Sequence, residues 1–160
     1  MSDQRHVVVV RTAELADVEA LVACSSALFG EDAGTRDPSV DVHWPREHGS
    51  ERFAAGIDDP DRLLLVADRE GQVVGYLTGA VGQGSAMRPV RVASLVSMYV
   101  LPACRRERIG ERLVGAFTAW AKEREAQLVE VTAYSSNSEA VRFYERNGFA
   151  AKSVTLERAL

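Results

Sequence analysis

Apolar residues recur at every second position in some stretches of this chain and at every third or fourth in others, and each change of period marks an element. Residues 6–11, "HVVVVR", are rich in β-branched side chains and predict a strand. Thr12 is then placed to cap a helix that carries Leu15, Val18, Leu21 and Val22 on one face. Residues 30–50 break the pattern with glycine, two prolines, acids, histidines and a tryptophan. They predict a long polar loop, of a length more often functional than accidental, leading into a second helix over 46–57. Strands at 62–68 and 72–81 form a hairpin around Glu70 and Gly71, and a glycine-rich turn leads to a long strand over 90–101. Residues 109–126 return to helical spacing, with Ile109, Leu113, Ala116, Phe117 and Trp120 on the apolar face. A strand at 127–133 follows. A helix then opens at Ser136, with Glu139 completing a capping box, and ends at Gly148. Residues 149–160 predict a closing strand. The order β-α-α-β-β-β-α-β-α-β puts antiparallel strands first and β-α-β units after. It predicts an α/β (α+β) fold with a mixed, mostly antiparallel central sheet flanked by helices.

Composition narrows this picture. At 160 residues the chain is expected to form one domain over 1–160, with 46% apolar and 26% charged residues, as in ordinary soluble proteins. No apolar run reaches the roughly 20 residues of a membrane span, and four valines near the start are too few for a secretory signal, so the expectation is cytoplasmic, away from membranes. Cys24 and Cys104 make no disulfide framework, and no Cys/His spacing suggests a metal. The net charge of −4 argues against a general nucleic-acid binder. Its distribution says more. Residues 1–70 carry 15 acidic and 7 basic groups, and residues 71–160 carry 8 and 12. One half therefore suits a cationic ligand and the other an anionic one.

The anionic side has a candidate location. In "VLPACRRERIGERL", residues 100–113, a strand end passes a proline into Arg105, Arg106 and Arg108 and then into a helix. A helix start has unpaired N–H groups and partial positive charge, so guanidinium groups gathered there point to an anion, most simply phosphate.

Two segments carry a family resemblance. "NSEAVRFYERNGF", residues 137–149, resembles the Asn-x-x-Ala-x-x-Phe-Tyr-x-x-x-Gly-Phe segment of the GCN5-related N-acetyltransferases, the GNAT superfamily. Upstream, "MYVLPACRRERIGERLV" is similar to that family's acyl-CoA loop, Val-x-Pro followed by Arg-x-x-Gly-x-Gly and a helix. The resemblance implies a GNAT-like acetyltransferase domain that uses acetyl-CoA as co-substrate and no metal. It implies that backbone N–H groups from Arg106 to Glu111, including Ile109 and Gly110, wrap the pyrophosphate, with Arg105 as the family's first arginine. Arg108 stands where the family has its first glycine and must tolerate that backbone position. By the same resemblance the strand end at Met98, Tyr99 and Val100 splays at a bulge and offers backbone groups to the pantetheine arm. Asn137 binds that arm too, and Tyr144 is the general acid that protonates the departing thiolate.

The family's strand glutamate is missing, since the stretch before the bulge reads "ASLVSM". Candidates for a base lie instead in the 30–50 region, at Glu31, Asp32, Asp37, Asp41, His43, Glu47 and His48. Of these, Glu31, Asp32, Asp37 and His43, together with Trp44, are the expected acceptor-binding set, by charge and cation–π contact. The expected reaction is direct acetyl transfer to a primary amine, of a small cationic metabolite or antibiotic. The alternatives are a peptide or protein N-terminus or lysine, and a non-catalytic acyl-CoA-binding module. Dimers are common among proteins of this kind, so a homodimer stays open, although no exposed stripe identifies an interface.

Overall fold

The tightest local signal, the Glu70–Gly71 turn, sets the middle of the sheet. Both residues have positive φ, 51° and 88°, the pair of left-handed positions a two-residue hairpin turn requires. Around them β2 (Arg62–Arg69) and β3 (Gln72–Gly82) pair antiparallel. The computed structural model describes residues 7–160. In it β1 (Val8–Thr12) pairs antiparallel with β2, and β4 (Val92–Val100) antiparallel with β3. The short β5 (Leu128–Val131) runs parallel to β4, giving the order β1-β2-β3-β4-β5. A parallel pair needs a crossover, and α4 (Ile109–Glu123) supplies it.

Helices cover both faces, which is why β2 reads "RLLLVADR" without strict alternation. Leu63, Leu65 and Ala67 face α4 and its Leu113, Phe117 and Trp120. Leu64 and Val66 face the other side, where Leu21 of α1 (Val18–Glu31) and Phe53 of α3 (Trp44–Ile57) pack with Tyr76 and Tyr99. Gly79 permits the close approach of α4, since a Cβ there would lie 2.9 Å from the Phe117 ring. Phe117 is fully buried, so truncation to alanine is expected to cost about 3–5 kcal/mol.

Four expectations change. Thr12 ends β1 and caps nothing. The chain makes a 3-10 turn at Leu15–Asp17 first, where the Asp17 carboxylate accepts the Glu14 N–H at 2.7 Å and both Arg11 Nη atoms at 2.8 and 2.9 Å. Arg11, beside Thr12 on β1, gives Asp17 a charged partner that outcompetes a lone hydroxyl for this corner. The polar loop is also shorter than expected, because α1 runs to Glu31, α2 (Ala33–Arg36) adds a turn, and α3 starts at Trp44 with Pro45 in its first turn. The late helix, α5 (Ser138–Arg146), is capped by Asn137, whose Oδ1 accepts the Ala140 N–H at 3.1 Å, and not by Ser136. Gly148 takes the left-handed conformation (φ 91°) as expected. Finally, residues 149–160 form no strand. After the Phe149 N–H bonds to Tyr144 O at 3.0 Å the tail is irregular, with Val154, Leu156 and Leu160 exposed. Alternation prepares a face, but a strand exists only through its ladder, and here no partner is supplied. The strand expected over residues 6–11 is β1, and His6 lies outside the described residues.

The irregularity that matters lies in β4. Thr78 faces Ser97 while Gly79 faces Leu95, so Val96 is an extra residue, a β-bulge. The ladder from β4 to β5 covers only Val92–Leu95 against Leu128–Val131. Beyond it the two strands part and leave a cleft, with the Val96–Val100 edge on one lip and the chain entering α5 on the other.

Candidate active site

The β4 lip leads into the arginine loop. After a 3-10 turn at Pro102–Cys104, Arg106 and Arg108 both adopt left-handed backbone, φ 69° and 62°. Left-handed residues interspersed in a turn are the backbone geometry of anion-binding nests. From Arg106 to Glu111 no backbone N–H donates to a carbonyl or side chain among the described residues. The Arg106 and Arg108 side chains are exposed and make no ion pair or hydrogen bond there either. Glu107 is held by Arg69. At Gly110 a Cβ would sit 3.2–3.3 Å from the Phe143 ring, so α5 packs directly on the first turn of α4.

Arg105 behaves differently. Its Nε donates to the Val100 carbonyl at 3.0 Å, and its guanidinium stacks over the Tyr99 ring, 5.3 Å from the centroid. Its two terminal nitrogens reach the two Glu31 carboxylate oxygens at 2.8 and 3.0 Å. The Val100 carbonyl, expected to serve pantetheine, is thus engaged from within. Tyr99 Oη donates to Glu31 Oε2 at 3.0 Å as well. Arg105 and the Tyr99 hydroxyl together hold the Glu31 carboxyl below the usual carboxylate range, and burial plus this neighbour raise Tyr99.

The next residue, Asp32, reaches the opposite lip. Asn137 spends its oxygen on capping α5 and gives Nδ2 to Asp32 Oδ1 at 3.1 Å. Arg36 Nε donates to the same oxygen at 2.7 Å and its Nη1 reaches Ser136 Oγ at 3.0 Å. Asp37 accepts from the Ser39 N–H and hydroxyl, and from Tyr134 Oη at 3.4 Å. The α1–α2 corner therefore bridges the cleft, with Glu31 on the β4 lip and Asp32 and Asp37 on the α5 lip. The acidic first half and the basic second half of the chain do meet, at Glu31 and Arg105.

Tyr144 lies two turns along α5 from Asn137, on the same face. Its ring packs edge-on against Phe143 and Phe149, with centroids 5.3 and 5.7 Å away. Burial, with a smaller contribution from the Asp32 charge, pushes its hydroxyl up to about 12. It is therefore protonated at neutral pH and able to donate.

Two expected acceptor residues stand apart. His43 is exposed at the start of α3, and Trp44 stacks on Phe29 of α1, 6.1 Å between centroids, with Arg52 already over its ring at 5.8 Å. Asp41 accepts the His43 N–H at 2.9 Å. Sequence patterning missed Tyr134 and the Tyr99 hydroxyl as carboxylate partners, because nothing local relates them to residues 31–37. A cavity of about 380 Å³ at the far end of β4, beside Ser94, Arg88 and Glu130, contains none of the expected site residues. Among the described residues no group of three or more His, Cys, Asp or Glu side chains is arranged to hold a metal, and no helix is long and apolar enough to cross a membrane.

Comparison with known proteins adds a second line of observation. Residues 29–149 match the sequence model of the acetyltransferase (GNAT) family. An aminoalkylphosphonate N-acetyltransferase of Salmonella typhimurium is 29% identical over 108 residues, 68% of this chain and 70% of that protein. An uncharacterised N-acetyltransferase of Mycobacterium bovis is 31% identical over 100 residues, 62% of this chain but only 60% of the relative's length. Among solved structures, the aminoglycoside N-acetyltransferase AAC(6')-Iy in complex with CoA superposes with a TM-score of 0.77, covering 99% of each chain at 14% identity.

Proposed function

We propose that this chain, which belongs to the GNAT family and is an acetyl-CoA-dependent N-acetyltransferase, works as a single domain that acetylates the primary amine of a small cationic molecule. The observation that carries the acceptor class is the α1–α2 corner, where Glu31, Asp32 and Asp37 are gathered across the cleft. Glu31 and Asp37 are paired within the protein, and the open Oδ2 of Asp32 favours an ammonium group over a neutral or anionic acceptor. The Salmonella relative is named for aminoalkylphosphonates, amines that also carry a phosphonate, which supports a small acceptor over a protein but not its net positive charge.

In this reading the free N–H groups from Arg106 to Glu111 hold the coenzyme's pyrophosphate, and Arg106 and Arg108 add charge-assisted bonds. The parted edge at Met98 and Tyr99 lies along the pantetheine arm. The acceptor amine attacks the thioester carbonyl, the carbon–sulfur bond breaks, and Tyr144 gives its proton to the thiolate. A phenol that titrates near 12 stays loaded for that donation across the physiological range.

The test is a thermal shift followed by turnover. Acetyl-CoA at 100 times its dissociation constant stabilises by about 2.7 kcal/mol, roughly 5–10 °C for a domain of this size. Thiol release is then followed with amino sugars, aminoalkylphosphonates, polyamines and short peptides. Turnover of the small cations and a loss of about 100-fold in kcat for Tyr144→Phe, at unchanged acetyl-CoA affinity, are expected. Turnover of peptides alone would move the assignment to protein or peptide acetylation. Binding without any turnover would leave an acyl-CoA-binding module.

A further inference from the structure

We propose that Asp32 is the carboxylate that binds the acceptor's ammonium group and takes its proton. This deepens the reading of the chain as a small-amine acetyltransferase and rests on it. The strand that borders the cleft, β4, reads "VASLVSMYV" and has no carboxylate to act as base. A base must therefore come from another element, and the α1–α2 corner offers three acids in very different states.

Two of the three are spent. Both oxygens of Glu31 are engaged by Arg105, and one also takes the Tyr99 hydroxyl. Asp37 Oδ1 is closed onto Ser39, and its Oδ2 faces Tyr134. Asp32 instead concentrates its bonds on one oxygen. Oδ1 accepts from both Asn137 and Arg36, while Oδ2 accepts no hydrogen bond among the described residues. The carboxylate is thus oriented from two sides with one acceptor oxygen left open, the arrangement needed to receive an N–H.

Its position relative to the proton donor fits the same role. Asn137 and Tyr144 share a face of α5, and a tyrosine in a helix leans back toward the N-terminus, toward the turn that Asn137 caps. Asp32 lies against that cap, and its charge is felt at the Tyr144 hydroxyl. The charged and titratable groups facing it are Arg36 from α2, Tyr134 from the segment before α5, and Tyr144 from α5, with Glu31 adjacent in the chain. One guanidinium offsets part of its charge and leaves enough to attract a cation.

The proton balance closes. The ammonium loses one proton to Asp32 and on to solvent. The neutral amine forms its C–N bond as the C–S bond breaks, and Tyr144 protonates the thiolate. The second proton on nitrogen returns to the Tyr144 oxygen as the amide forms. One acetyl thioester and one ammonium yield one amide, one thiol and one released proton.

Asp32→Asn keeps the size and the hydrogen bond from Asn137 while removing the charge. We expect kcat/KM for the cationic acceptor to fall about 100-fold at neutral pH, with acetyl-CoA affinity within about threefold. A second readout needs no turnover. With 13C-labelled tyrosine, the Tyr144 resonance should titrate at lower pH in Asp32→Asn than in the wild type, because a nearby negative charge has been removed. Asp32→Glu, which keeps the charge, should titrate as the wild type does and separates charge loss from misfolding. An unchanged kcat/KM overturns the proposal. So does an unmoved Tyr144 titration, whatever the acceptor panel gives. If the wild type binds acetyl-CoA but acetylates no cationic amine, the substrate class falls, and the titration alone decides whether Asp32 faces the acid.

Discussion

The two sides of the cleft are made of different material. The arginine loop is a backbone device: a run of N–H groups from Arg106 to Glu111, shaped by two left-handed residues, with Gly110 packed against Phe143. The acidic corner is a side-chain device, in which Glu31 meets Arg105 and Asp32 meets Asn137 across 74 and 105 residues of sequence. A backbone device depends on short-range geometry and accepts one kind of ligand, an anion, with little rearrangement. A side-chain device depends on which distant partners fold brings together, so its ligand can change by substitution while the fold remains.

If this division is right, the largest effect of surface substitutions should fall on the loop. Arg106→Ala with Arg108→Ala removes two unpaired guanidinium groups while leaving every N–H in place. Charged hydrogen bonds are each worth about 1.5–3 kcal/mol. The double variant should therefore bind acetyl-CoA at least about 100-fold more weakly, and with a shallower salt dependence, by calorimetry at two ionic strengths. An affinity unchanged within threefold would mean that the backbone alone holds the phosphates.

Glu31→Gln sharpens the other side. The pair with Arg105 is nearly half exposed on both partners, which limits its value to about 0.5 kcal/mol in urea titrations. The sign with pH is definite. Arg105 lowers the Glu31 pKa, so its contribution is present above the ordinary glutamate value of 4.5 and is lost as pH falls through the lower folded-state value. The stabilities of variant and wild type should differ at neutral pH and converge on acidification. Acetyl-CoA affinity should stay within about threefold. A tenfold gain would show that Glu31 competes with phosphate for Arg105, and the two sides would no longer be separate devices.

This contrast also explains what the sequence made legible. The hairpin, both helix-covered faces and the arginine loop rest on signals within a few residues, Glu70–Gly71, the run "LLLVA" and "RRERIG", whereas the bulge at Val96 was expected only from the family resemblance. The terminal strand failed because pairing is not local, and Thr12 failed because Arg11, held by Asp17 and Asp68 on different elements, decides that corner. Glu31, Asp32 and Asp37 were visible as acids in a polar stretch, but nothing in that stretch says that Arg105, Asn137 and Tyr134 are their partners. Trp44 looked available for a cation, and the fold gives its ring to Arg52 and Phe29. Asn137 was expected as a binding residue from the family resemblance, yet its cap to Ala140 and its bond to Asp32 appear only in three dimensions.

The smallest expected effect on stability isolates backbone from charge at a single residue. Arg108 holds φ 62° at the N-cap of α4, where a side chain costs about 1 kcal/mol that glycine does not. Glycine in turn loses more backbone entropy on folding, about 0.5–1 kcal/mol. Arg108→Gly should therefore leave thermal stability nearly unchanged, within about 0.5 kcal/mol in either direction. A guanidinium free to contact phosphate is lost, so acetyl-CoA affinity should still fall, by about tenfold. Stability and affinity thus respond independently to one substitution, as they must if the loop's shape is set by φ and its grip by charge. If affinity rises instead, the arginine side chain obstructs the nest, and Arg106 with the bare amides makes up the anion site.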